Sequence, residues 1–228
     1  DKRANWWVVL AQTGEGGDRR SMRFFLVRLD NPGIEVSKIN TNGMRGSGRS
    51  QIFFDHAFVP ADSLLGQGEA GFQTAMQVLG ASRIFFSARG LGILEASIEH
   101  AAEKIAVLRQ ATPGDSRLNT ADVRLSEMRI KAAYLSALLY HVERLRDDNK
   151  HFESEVASLK WLAGKTAVEV TSQAYTLVSR LGASKDALVD AERFMRDANQ
   201  IPLAEGTSEV MERILARDLA RSLGYVEG

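Results

Sequence analysis

Residues 121–142 read ADVRLSEMRIKAAYLSALLYHV, and residues 156–177 read VASLKWLAGKTAVEVTSQAYTL. In the first run Ala121, Leu125, Met128, Ala132, Leu135, Leu139 and Val142 recur at steps of four and three. In the second, Val156, Leu159, Ala163, Thr166, Val170, Ala174 and Leu177 do the same. Such steps place each set on one face of an α-helix. Small residues on both faces let helices approach closely. Asp147-Asp148-Asn149 separates the runs, and so short a connection predicts antiparallel neighbours. Phe72 to about Leu108 reads as a third long helix, with Gly80, Gly90 and Gly92 each opposing it by about 1 kcal/mol relative to Ala. Arg213–Leu219 reads as a fourth helix.

Upstream the period is two. Trp6–Leu10 is a short apolar run, followed by the Gly-rich turn Gly14–Asp18. Met22–Leu29 ends at the turn signal Asn31-Pro32-Gly33. Ile34-Glu35-Val36 alternates, and Gln51–Phe54 leads through Ala57-Phe58-Val59 to Pro60. Aromatic and β-branched residues between turn clusters predict antiparallel strands. Four of them make a thin sheet, expected to need partners outside this chain. The fold class is therefore α+β, mostly α: a short antiparallel β segment followed by a C-terminal four-helix bundle. The expected division is 1–67, a partial β domain, and 68–228, a helical-bundle domain.

The 228 residues are 44% hydrophobic and 25% charged, ordinary values for a globular chain. Lys plus Arg and Asp plus Glu both number 29, so net charge favours neither nucleic acid nor an anionic membrane as partner. The absence of cysteine excludes disulfides and thiolate chemistry, and fits the cytoplasm or another reducing soluble compartment. His56, His100, His141 and His151 show no metal-ligand spacing, so no metal is expected. No apolar run approaches the ~20 residues of a membrane span. The chain enters a strand-like segment almost at once and has no signal-peptide core, which leads us to expect a fragment boundary at its start.

Three stretches in register resemble the acyl-CoA dehydrogenase family. They are Gly43-Met44-Arg45-Gly46-Ser47 with Phe53–Pro60 and Leu65-Gly66; Gly71-Phe72 with Ala75-Met76, Leu79 and Arg83; and Met195-Arg196-Asp197-Ala198 leading to Glu205-Gly206-Thr207-Ser208-Glu209. The resemblance covers essentially the whole chain. It implies the second half of a middle β domain plus a C-terminal bundle, with an N-terminal helical domain lacking and little activity or flavin retention by this part alone.

The reaction so implied removes a proton from Cα and a hydride from Cβ of an acyl-CoA thioester, with FAD as hydride acceptor. By resemblance Glu205, of the Glu-Gly-Thr motif, is the base, and Arg83 helps hold its charge. A Glu with a pKa near about 4.3 is ionised at neutral pH, and burial in an apolar pocket would strengthen it as a base. Gly206 permits an unusual backbone angle, and Thr207 or Ser208 can cap the final helix. The same residues also admit a plainer reading, an acidic group near a helix N-terminus and a surface Arg paired with it. Some relatives place the base just before the Arg matched by Arg83. Here that residue is Ser82, which leaves Glu205 as the candidate.

Arg45 and Ser47 would lie near the flavin or the substrate entrance, or else serve only as turn residues. Arg109, Gly182 and Thr207 complete the expected cofactor residues, and Ser82, Ala204 and Gly206 the expected substrate contacts. Ala204 stands where many relatives carry Tyr, which predicts a wider pocket for bulky or branched acyl groups.

Two of the family's flavin-diphosphate signatures are missing. Arg109 falls one position off the usual Arg-x-x-Phe-Gly, whose Phe-Gly is gone. Of Gln-x-x-Gly-Gly only Gly182 remains, with Val178 at the Gln position and Leu181 at the first Gly. Two explanations stand: a mixed assembly whose other subunit supplies the flavin contacts, or a homo-oligomer with relocated contacts. The resemblance also implies a dimer or tetramer and an electron acceptor such as an electron-transfer flavoprotein. Competing functions are a non-catalytic or half-site subunit, and a flavin monooxygenase or oxidase on the same scaffold. The Glu-Gly-Thr motif argues against the latter.

Overall fold

The computed structural model describes residues 4–14, 18–66 and 71–225. It divides into two compact units, residues 1–79 and 80–228.

In the first unit, β1 (Trp6–Gln12) pairs antiparallel with β2 (Met22–Arg28), and β3 (Ile34–Ile39) with β4 (Arg49–Phe54). The four expected strands therefore form, but in two sheets rather than one. A two-residue β5 (Leu64–Leu65) joins the far edge of β2, giving the order β1-β2-β5 beside a separate β3-β4 pair. Trp6 lies opposite Arg28, whose guanidinium sits 5.2 Å from the indole centroid. Trp6, Val8, Phe53 and Phe54 stay exposed. Two- and three-stranded sheets bury little apolar surface, as the thin-sheet reading anticipates.

The helices are α1 (Gly71–Ala111), α2 (Arg117–Asp147), α3 (Glu153–Arg180), α4 (Lys185–Ala198) and α5 (Ser208–Ser222). The first turns of α1 belong to the first unit, and the rest of the helices form the second. The two periodic faces are the buried ones. Ala121, Met128, Ala132, Leu135 and Val142 of α2 are buried, as are Val156, Leu159, Ala163, Thr166, Val170 and Ala174 of α3.

Helix α3 is buried on a second face too, through Ala157, Lys160, Gly164, Ala167 and Thr171. It packs against α2, α4 and α5, so it has two sides to cover. The period of one stripe could not show this, because a second stripe of small and polar residues has no hydrophobic signature. Helix α4 was not expected either. Ser184 starts it, its Oγ accepting from the Ala187 amide, and the His100 Nε2–H of α1 donates to the Ala187 carbonyl at 3.0 Å.

Helix α1 runs unbroken through its three glycines. At Gly90 a Cβ would stand 3.1 Å from Ile201 Cγ2, and at Gly164 of α3 it would stand 3.1 Å from Pro202 Cα. These two glycines let the segment between α4 and α5 lie directly on α1 and α3. Gly92 faces open space.

Replacing Gly164 by Ala should destabilise the protein by about 1–3 kcal/mol, because the crowded partner is backbone and cannot swing away. Replacing Gly92 should stabilise it by about 0.5–1 kcal/mol through helix propensity. Paired denaturant titrations of the two variants check both signs.

Candidate active site

The α4–α5 segment, residues 199–207, folds as consecutive turns. The Ile201 amide donates to Ala198 O at 3.0 Å, the Ala204 amide to Gln200 O at 3.2 Å, and the Ser208 amide to Pro202 O at 3.0 Å. Ile201 is fully buried and anchors the segment. Pro202 follows it and supplies no N–H, so the chain cannot continue α4 here.

Glu205 sits at the tip with φ 58°, in the left-handed region, and Gly206 follows at φ 95°. The left-handed conformation costs an L-residue about 1–2 kcal/mol, so the surroundings must impose it. Two bonds from α1 do so. Arg83 Nε donates to the Glu205 carbonyl at 3.2 Å, and Ser82 Oγ donates to Glu205 Oε2 at 2.6 Å. A Cβ on Gly206 would stand 2.9 Å from Met211 Cε and 3.7 Å from Arg83 Nη2, so position 206 is tight as well as left-handed.

The carboxylate lies in the field of two buried cations. Burial pushes the Arg83 guanidinium below its ordinary range, while the charges of Glu153 and Glu205 oppose that. Lys160 of α3 is 1% exposed, and its ammonium donates to the Ile201 carbonyl. Burial pushes it down to about 8, against the pull of Glu205 and with the push of Arg83. Ser82 engages one oxygen of Glu205, and the other oxygen of a carboxylate is what a carbon acid would meet. Such a carboxylate, oriented by a hydroxyl and flanked by fixed positive charge, has the parts of a general base.

Ser82, Arg83, Glu205 and Gly206 are thus brought together, with Ala204 next in the chain. Thr207 stands at the N-cap of α5, yet its side chain makes no capping bond. Its hydroxyl instead joins backbone bonding in holding the exposed Glu209 carboxyl below its usual range. Ser208, the other expected cap, is the first residue of α5, and its buried Oγ has no partner among the described residues. Arg45 and Ser47 form a 3-10 turn of the first unit, entered through Met44 at φ 49°. Arg109 is committed to Asp122, with Nη2 2.7 Å from both carboxylate oxygens. Gly182 ends α3 with φ 76°.

Residues 69–220 match the acyl-CoA dehydrogenase C-terminal domain. The chain belongs to the acyl-CoA dehydrogenase family. It is 31% identical over 217 residues to the short-chain specific mitochondrial acyl-CoA dehydrogenase of Rattus norvegicus, covering 94% of this chain and 52% of that protein. It is 32% identical over 224 residues to cyclohexane-1-carbonyl-CoA dehydrogenase of Geobacter metallireducens, covering 96% and 57% respectively. Among solved structures it matches butyryl-CoA dehydrogenase from Megasphaera elsdenii with TM-score 0.84 and 26% identity, over 96% of this chain and 57% of that one. The chain spans about half the length of the curated relatives it matches.

The acyl-CoA dehydrogenase family depends on FAD. Its usual diphosphate contacts do not fit here at positions 178 and 181, because both side chains are core. Val178 is fully buried, and Leu181 packs with Ile105, Leu118 and Ala121. Beside them a groove of about 560 Å³ between α2 and α3 is lined by Arg117, Arg124, Arg180 and Thr176, with Arg117 paired to Asp115 and Arg124 to Glu127. Sequence reasoning passed over these arginines and Lys160. Lys160 was detectable, since it lies four residues from both Val156 and Gly164 on an otherwise apolar or small-residue face. No helix among the described residues is long and apolar enough to cross a membrane.

Changing Glu205 to Ala and to Gly removes the same carboxylate, so the two variants differ mainly in tolerance of φ 58°. The Gly variant should be the more stable by about 1 kcal/mol, measured by thermal unfolding.

Proposed function

We propose that the full-length protein desaturates an acyl-CoA thioester between Cα and Cβ, with Glu205 as the base that takes the α-proton. The supporting observation is the Glu205 tip: a carboxylate oriented by Ser82, on a left-handed backbone held by Arg83. FAD, when bound, supplies the hydride acceptor for Cβ. The chain's own part is to present an ionised carboxylate and keep it still. Ser82 fixes its rotation through Oε2. Arg83 holds the Glu205 backbone carbonyl from α1.

The groove at Arg117, Arg124 and Arg180 is our candidate for relocated contacts to the flavin diphosphate, with the assembly a dimer or tetramer. Electrons would pass to an acceptor of the electron-transfer flavoprotein class. A second reading, that this subunit supplies the base to a mixed assembly and a different subunit the flavin contacts, is favoured by the burial of Val178 and Leu181.

Glu205→Gln in the full-length protein should lower exchange of the thioester α-hydrogen with D2O by about 10²–10⁴-fold, the usual share of a general base. Ser82→Ala, which removes one hydrogen bond to a charged group, should cost about tenfold. Unchanged exchange in Glu205→Gln would remove the base assignment. Ala204 in place of a ring supports bulky acyl groups, and one relative is named for a cyclic acyl-CoA. The expected order of kcat/KM is therefore cyclohexane-carbonyl above butyryl thioester, and the reverse order would exclude the wider pocket.

A further inference from the structure

Among the described residues Lys160 is the largest fully buried side chain, and it carries a cation in the middle of a helix bundle. Burying an ammonium is costly unless it has a specific partner. Its hydrogen-bond partner is a backbone carbonyl, that of Ile201, and not a carboxylate. Its Nζ also lies 5.8 Å from the Phe86 ring centroid, on the electron-rich side of an α1 aromatic. The charged groups acting on it are Arg83 from α1 and Glu205 from the turn.

The placement of that carbonyl is informative. Ile201 opens the tight turns that end at Glu205, and its side chain is seated over Gly90. Pro202, the next residue, lies against Gly164, one helical turn along α3 from Lys160. The turn is therefore pinned at its root by Lys160 and near its tip by Arg83. Movement at the root would swing the Glu205 carboxylate, four residues on, because the intervening Leu203 and Ala204 amides both bond the Gln200 carbonyl and the Ser208 amide, beyond the tip, closes back on the Pro202 carbonyl.

We propose that Lys160 is a positioning residue for the base: by holding the Ile201 carbonyl it sets where the Glu205 carboxylate stands. A misplacement of about 1 Å at a reacting group can cost on the order of a hundredfold in rate, so one buried tether can control catalysis without touching substrate. The burial that lowers the proton affinity of Lys160 also keeps water from competing for the carbonyl. The proposal rests on the assignment of Glu205 as the base.

The test uses the full-length protein with an acyl-CoA thioester and reads α-hydrogen exchange in D2O, with KM and melting temperature for each variant. Lys160→Met fills similar volume but cannot donate. Lys160→Gln can still reach the carbonyl as a neutral donor. The expected result is at least a tenfold fall in saturated exchange rate for the Met variant, a smaller fall for the Gln variant, whose donor is one atom shorter, and KM within about twofold of wild type for both. A Met variant with wild-type exchange and only a lowered melting temperature would make Lys160 a packing residue and overturn the proposal. So would a Gln variant as impaired as the Met variant. If the Met variant does not fold, the Gln variant decides through amide protection at Ala204 and Ser208. Protection and exchange rate both retained sustain the tether, whereas retained protection with a lost rate overturns it. Glu205→Gln, run in parallel, separates the two readings. Exchange lost there but intact in Lys160→Met sinks only the tether, and exchange intact in Glu205→Gln sinks the base itself.

Discussion

A nine-residue connection, 199–207, has to lie flat across two helices while keeping one carboxylate at a fixed angle. Several features of the second unit serve that constraint. The helices can come close enough only because Gly90 and Gly164 carry no side chain where Ile201 and Pro202 cross them. The connection has little secondary structure of its own, so its rigidity must come from buried contacts: the Ile201 side chain, and carbonyls held by Lys160 and Arg83.

This arrangement places two desolvated cations and one left-handed acidic residue in a small volume, all locally unfavourable. Each relieves another. The carboxylate opposes the drop in proton affinity of both cations, and the Arg83 bond holds the strained Glu205 backbone. Removing one member should therefore disturb the rest more than a pairwise count suggests. Strain and buried charge gathered at one tip, on an otherwise regular helical scaffold, are the physical marks of a site shaped for chemistry.

At the other end of α3 a different compromise is visible. Val178 and Leu181 have joined the hydrophobic core between α1, α2 and the end of α3. That gain in packing removes polar function from the positions where relatives carry Gln and Gly. Arg109, one position away from the family pattern, closes α1 onto α2 through Asp122. In the neighbouring groove Arg117 and Arg124 are likewise engaged, with Asp115 and Glu127. The Glu205 turn is separate from this change, since it crosses α3 at Gly164, well before Val178 and Leu181.

The long helices, their buried faces and the four main strands were legible from residues alone, because periodicity records which side of an element meets a core. The pairing of strands into two sheets was not, since alternation says nothing about which edges meet. Helix α4 was legible as well, since Ala187, Ala191, Phe194 and Ala198 recur at helical steps, but its last residues were read only as a family motif. Glu205 and Arg83 were found through family motifs, and the bonds that join them were invisible at a separation of 122 residues. By itself the sequence determined the helical faces and the β-to-α change, both local properties of the chain. The tertiary structure alone decided that a lysine in an apolar stripe holds the root of the turn, and that two glycines admit that turn. Burial and close approach arise from what the rest of the chain brings near.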